Sequence, residues 1–211
     1  MLEITKQLSR KVPQVTIFFW IIKLLSTALG ESTSDYLVNN FNPYLVVMCG
    51  FVGFIIILLL QFRTKRYIPV IYWLTVVMVA VFGTMAADVI HVAMGVPYIV
   101  STLAFMVTLT IVFILWRATE KTLSIHSITT TRRELFYWLT VSATFALGTA
   151  AGDFMAYTAN LGFFTAGLMF TAIFALPAIG FRFFKMNAIL AFWFAYIVTR
   201  PLGASFADWM G

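Results

Sequence analysis

The sequence predicts an all-α, polytopic membrane protein: seven transmembrane helices built from parallel two-helix repeats, with the last repeat one helix long. Three observations predict it. Of 211 residues, 62% are hydrophobic and only 10% charged, where a soluble domain carries about 25%. Seven apolar runs are each about 20 residues long, enough to cross a hydrocarbon core of about 30 Å. A spaced Trp, Gly and Asp pattern recurs four times. A single membrane domain over residues 1–211 is expected, with repeats near 11–66, 67–131, 132–185 and 186–211.

The first run, near 15–34, is too long for a signal-peptide core and no small-residue cleavage site follows it, so a retained helix is expected. Ahead of it, "MLEITKQLSRK" reads either as a short interfacial helix through Leu2, Ile4 and Leu8 or as a disordered end. The second run, near 43–62, contains the uncharged "FVGFIIILLLQF", which suits lipid contact. It also holds the single Cys49, which excludes an intrachain disulfide. The third and fourth runs lie near 69–92 and 97–116. Thr108 and Thr110 in the fourth are expected to bond their own backbone. The longest polar stretch, Arg117 to Glu134, follows. His126 within it reads as a solvated side chain, and Thr131 with Glu134 has capping-box spacing that would start the fifth helix. The last three runs lie near 135–157, 161–181 and 187–209.

The net charge of +6 is distributed in a way that excludes a nucleic-acid partner. Lys6, Arg10 and Lys11 precede the first run. Arg63, Lys65 and Arg66 join the second to the third. Arg117, Lys121, Arg132 and Arg133 join the fourth to the fifth, and Arg182 and Lys185 the sixth to the seventh. The alternate loops hold no Lys or Arg. By the positive-inside rule the amino terminus is expected in the cytoplasm and the carboxyl terminus outside. The bilayer is the partner these charges address.

Trp20, Trp73, Trp138 and Trp193 each follow an aromatic residue: Phe19, Tyr72, Tyr137 and Phe192. Ten residues after each Trp stands Gly30, Gly83, Gly148 or Gly203, and fifteen after it Asp35, Asp88, Asp153 or Asp208. Two helices per unit give every repeat one orientation, so equivalent aspartates should share one depth. At 1.5 Å per residue they lie roughly 22 Å beyond the Trp. The tryptophans are expected at the cytoplasmic interface, where aromatic belts form, and the aspartates in the outer third of the membrane.

The segments "KVPQVTIFFW", "YW" with "GTMAAD", "FYW" with "GTAAGD", and "TRPLGASFAD" resemble a bacterial membrane-protein family, the tandem two-helix repeat called domain of unknown function 347. The resemblance covers nearly the whole chain. It implies the repeat fold and a multi-pass protein of the bacterial inner membrane, and it brings no established activity. The first repeat departs from the others, with "GESTSD" where they have a Gly-Thr start.

Each repeat Gly is followed four residues later by Ser34, Ala87, Gly152 or Ala207. Small residues at this spacing let membrane helices approach closely. A central bundle of helices one, three, five and seven is therefore expected, with the even helices outside and the aspartates turned toward a shared interior. Homo-oligomerisation is compatible with the chain.

An ionised Asp in a bilayer costs roughly 2.5–3.5 kcal/mol on insertion scales. At about 6 Å and an effective dielectric near 20, two of them repel by roughly 3 kcal/mol. Such groups must be protonated, paired with a base or bound to a cation. Cation binding is expected, with Asp35, Asp88, Asp153, Asp208, Glu31 and His91 as metal ligands. Carboxylates suit Mg²⁺, Ca²⁺ or Mn²⁺, and an imidazole tilts the choice toward Mn²⁺. His91 also reads as a solvated or capping residue and Glu31 as an interfacial one. Lys23 and Arg200 are the only basic residues within helices. Lys23 is expected to snorkel toward the cytoplasm. Arg200 joins the substrate-binding candidates or snorkels, with Pro201 expected to break the seventh helix near mid-membrane.

The expected function is transport of a divalent metal ion, which would be substrate rather than cofactor. The alternatives are a proton-coupled transporter of a small organic solute and a non-transport scaffold. An enzyme is not expected. The chain has no H-E-x-x-H, no G-x-S-x-G, and no Lys in the seventh helix for a retinal Schiff base.

Overall fold

The computed structural model describes residues 10–211; Leu2, Ile4, Lys6 and Leu8 lie outside the described residues. Within them the chain forms seven long helices and no strand: α1 Ile17–Asn40, α2 Pro43–Arg63, α3 Pro69–Asp88, α4 Tyr98–Glu120, α5 Thr131–Asp153, α6 Gly162–Phe183 and α7 Ala188–Met210. Their starts follow local chemistry. The Asn42 and Asn187 side chains cap α2 and α7 by accepting backbone N–H groups. Pro43 and Pro69 occupy first positions, where a missing N–H is harmless. α4 stops at Lys121, which takes a left-handed conformation.

Six helices, α2 to α7, are long and apolar enough to cross a membrane. Lys23, Glu31 and Asp35 make α1 more polar, and it runs past the expected end near residue 34 to Asn40. α7 is continuous through Pro201, so the expected mid-membrane break does not occur. The proline ring lies against small residues of α5: a Cβ on Gly152 would stand 3.8 Å from the Pro201 Cα. Two extensions were not legible. After Asp88 and after Asp153 the backbone widens into π-helical turns, Val89–Ala93 and Phe154–Thr158.

The odd helices form a closed ring in which α1 packs on α3, α3 on α5, α5 on α7 and α7 on α1. The even helices lie outside. Only 17%, 17% and 22% of the apolar spans of α2, α4 and α6 are buried, against 50%, 61% and 67% for α3, α5 and α7. Each even helix packs chiefly on the odd helix that follows it, α2 on α3, α4 on α5 and α6 on α7. Glycines make room for these contacts. Gly50 and Gly53 face Met85 and Met78, and Gly167 faces Phe206. α1 presents Ile17, Phe18, Leu25 and Leu29 outward.

The ring repeats one contact four times. The residues seven after each Trp are Thr27, Ala80, Phe145 and Arg200. A Cβ on Gly30 would collide with Ala80, and one on Gly148 with Arg200. On Gly83 it would stand 3.1 Å from the Phe145 Cβ, and on Gly203 2.8 Å from the Thr27 Cγ2. So each repeat glycine is the seat of the next helix around the ring, which is the close approach expected from small-residue spacing.

Below this seam the aromatic pairs interlock in the same sense. Phe19 meets Trp73 at 5.7 Å between ring centroids, Tyr72 meets Trp138 at 5.6 Å, Tyr137 meets Trp193 at 6.2 Å and Phe192 meets Trp20 at 5.6 Å. Such pairs contribute about 0.5–1.5 kcal/mol each beyond area burial. The tryptophans thus turn inward as a floor across the bundle; Trp138 and Trp193 are buried. Four aromatic pairs at one level fill the axis better than they would cover the rim.

A buried polar knot ties the segment before α1 beneath this floor. Lys11 Nζ donates to Glu134 Oε2 at 2.5 Å and to the Phe62 carbonyl at 3.2 Å, and Gln61 Nε2 donates to Glu134 Oε1 at 2.9 Å. Glu134 therefore does not close a capping box with Thr131. The cap of α5 is Thr130, one residue earlier, whose hydroxyl accepts from the Arg133 N–H. His126 is exposed, as expected, and Thr108 and Thr110 bond their own backbone at Ala104 and Met106.

Candidate functional site

The axis of the ring is occupied by a side chain. Arg200 projects from α7 and is fully buried. Its Nη2 donates to Glu31 Oε2, to Thr84 Oγ1, and at 2.7 Å to Thr149 Oγ1. Thr84 Oγ1 lies 2.7 Å from Glu31 Oε2. These three partners occupy one repeat position, eleven residues after Trp20, Trp73 and Trp138. The fourth equivalent residue is Ala204, on the helix that carries the arginine. One guanidinium is thus held by the same layer of three different helices. The departure of the first repeat acquires a meaning: Glu31 of "GESTSD" replaces the Thr of the other two and supplies the countercharge.

Nearer the ends of the odd helices stand the aspartates, one turn beyond that layer. Asp35, Asp88, Asp153 and Asp208 are all half-buried. Each lies within electrostatic reach of both Glu31 and Arg200. Glu31, Asp35 and Asp208 come closest, with one carboxylate oxygen of each within 4.8 Å of the others. α1 and α7, which carry them, are adjacent in the ring. The Asp208 Oδ1, Ser34 Oγ and Ser205 Oγ atoms are buried with no hydrogen-bond partner among the described residues. Such a group offers hard oxygen donors to Mg²⁺, Ca²⁺ or Mn²⁺.

The remaining candidates fall elsewhere. Asp88 and Asp153 mark the points where α3 and α5 turn from α to π geometry, a distortion frequent at functional sites, and are not in the close group. His91 is not in it either. Its ring packs on Tyr98 at 4.3 Å, and its Nδ1 lies 3.2 Å from the Val96 carbonyl. The π turn after Asp88 changes the angular offset between the two side chains, so His91 no longer shares the face that an α-helix would give it.

Lys23 does not snorkel. It is 1% exposed, with its ammonium 3.9 Å from the Phe145 ring centroid and 4.3 Å from that of Tyr196. The Nζ has no hydrogen-bond partner among the described residues. The helix face that carries Lys23 turns into the ring rather than toward lipid, because Thr27, one turn on, is the seat of Gly203. Arg200 does not snorkel either; its pairing with Glu31 is the base-pairing alternative for a buried carboxylate.

Sequence reasoning missed Thr84 and Thr149. Their signal was the Gly-Thr dipeptide at 83–84 and 148–149, read only as a repeat mark. It also missed the Lys11–Glu134–Gln61 knot, which no local spacing announces.

No curated protein and no solved structure matches the chain. A family model does, three times, over residues 18–67, 71–122 and 136–186. The three matches take in α1 to α6 and leave α7, the expected fourth and truncated copy, beyond the last. The chain therefore belongs to the family described as Repeat of Unknown Function (DUF347).

Proposed function

We propose that the protein carries a divalent metal cation, Mn²⁺-like or Mg²⁺/Ca²⁺-like, across the bilayer. Glu31, Asp35 and Asp208 are its binding site, and Asp88 and Asp153 complete an acidic mouth around it. One observation carries this reading: three carboxylates from adjacent helices with ligand oxygens within 4.8 Å. Five carboxylates gather around one arginine, and a hard cation offsets the excess. The positive-inside rule puts the Trp end of the ring in the cytoplasm and the acidic mouth on the extracytoplasmic side of a bacterial inner membrane. The aromatic floor and the Arg200 layer then separate the mouth from the cytoplasm. The ring closes within one chain, so the reading needs no oligomer.

A second reading, proton-coupled transport of a small organic solute, draws on Lys23, a buried amine with no hydrogen-bonded partner among the described residues, since ionisable groups inside bundles often relay protons. The test is metal-dependent thermal stabilisation of the detergent-purified protein, followed by uptake of Mn²⁺, Mg²⁺ or Ca²⁺ into proteoliposomes. Asp35→Asn and Asp208→Asn are expected to abolish both the stabilisation and the flux. Full flux in those variants refutes the site. Neither stabilisation nor flux in the wild type refutes cation transport and leaves the scaffold reading.

A further inference from the structure

We infer that Arg200 is a tethered competitor for the cation: a metal ion takes Glu31 only by displacing the guanidinium, and that displacement opens the axis of the ring. This rests on the cation reading above. Glu31 belongs to two groups at once. It is the sole carboxylate hydrogen-bonded to Arg200 among the described residues, and it is one of the three carboxylates whose oxygens come within 4.8 Å. Both claims meet on one side chain, so occupancy by a dication sets two like charges against each other in a low-dielectric interior.

The setting allows release. Only Nη2 of the guanidinium is hydrogen-bonded; Nε and Nη1 have no partner among the described residues. Two of its three partners are neutral threonine hydroxyls. The arginine also blocks the path. It is fully buried where four helices meet, between the acidic mouth and the aromatic floor, and its side chain lies against the seat of Gly148. A cation moving along the axis meets Arg200 before anything else. Thr84 and Thr149, vacated by the guanidinium, then offer hydroxyl oxygens to the ion at the next layer.

The observation also separates this arginine from a structural pin. A pin would be satisfied on all its donors by groups with no other task. Arg200 is instead held through the one carboxylate that the metal would need.

Two measurements test it. Thermal stability of wild type and Arg200→Gln is titrated with Mn²⁺. The variant is expected to reach half-saturation at Mn²⁺ at least ten-fold lower. Equal or higher Mn²⁺ demand in the variant overturns the inference while leaving the cation reading intact, provided the wild type still responds. No response in either protein overturns both. The second measurement uses the wild type alone and decides the matter if Arg200→Gln does not fold. Phenylglyoxal labelling is followed by peptide mass spectrometry, with the exposed Arg63 and Arg66 as internal references. Labelling of Arg200 is expected to rise several-fold on Mn²⁺ saturation. Unchanged protection at Mn²⁺ that fully stabilises the protein overturns the inference.

Discussion

Replacing Glu31 with Gln removes the one carboxylate hydrogen-bonded to Arg200 among the described residues and keeps nearly the same volume. The structure gives the terms. Arg200 is 0% exposed and Glu31 3%. The lost contact is a hydrogen bond between two charged groups, about 1.5–3 kcal/mol. What stays behind is a guanidinium whose acceptors are all neutral, with two unsatisfied nitrogens. Breaking a buried pair in this way typically costs about 3–5 kcal/mol, a fall in melting temperature on the order of 10 °C for a chain of this size. The assay is thermal unfolding in detergent of wild type, Glu31→Gln, Arg200→Gln and the double variant, read as a cycle. The double variant should recover much of the loss, because it leaves no unpaired charge. A Glu31→Gln protein as stable as wild type, or a double variant less stable than both singles, would refute the account of the axis.

Two further outcomes follow from the same ring. Gly203→Ala should destabilise by about 1–3 kcal/mol through overpacking, since its Cβ would stand 2.8 Å from Thr27. Gly152→Ala should be tolerated, because its nearest neighbours are 3.8 and 3.9 Å away; equal melting temperatures for the two variants would contradict the seam. Lys23→Met should leave the melting temperature unchanged or raise it. Two cation–π contacts at up to about 2 kcal/mol do not offset the several kcal/mol of burying an ammonium without a hydrogen-bonded acceptor. A clear fall would show that Lys23 has a partner in the folded protein.

The helices were legible because a membrane admits few solutions. Apolar runs of sufficient length must be helical in lipid, and α2 to α6 follow them closely. The Trp, Gly and Asp spacing was legible for a related reason: duplicated units that pack around one axis must keep the residues that meet at it. The odd-helix bundle and the outer even helices follow from those two facts. Two of the errors share a cause as well. Lys23 and Glu134 were read from their place along one helix, and each is positioned by another segment; His91 is displaced by the π turn that contains it. Lys23 turns inward because Gly203 presses on Thr27, and Glu134 is claimed by Lys11 and Gln61 from other segments.

Length, apolar periodicity and a fourfold spacing were thus enough to establish seven helices and their grouping, because these are properties of single helices and of their repetition. The sequence alone could not say which carboxylate faces which base. That choice belongs to contacts across the ring, where residues 31, 84, 149 and 200 converge from four helices. Which helix each glycine meets next in the ring decides it.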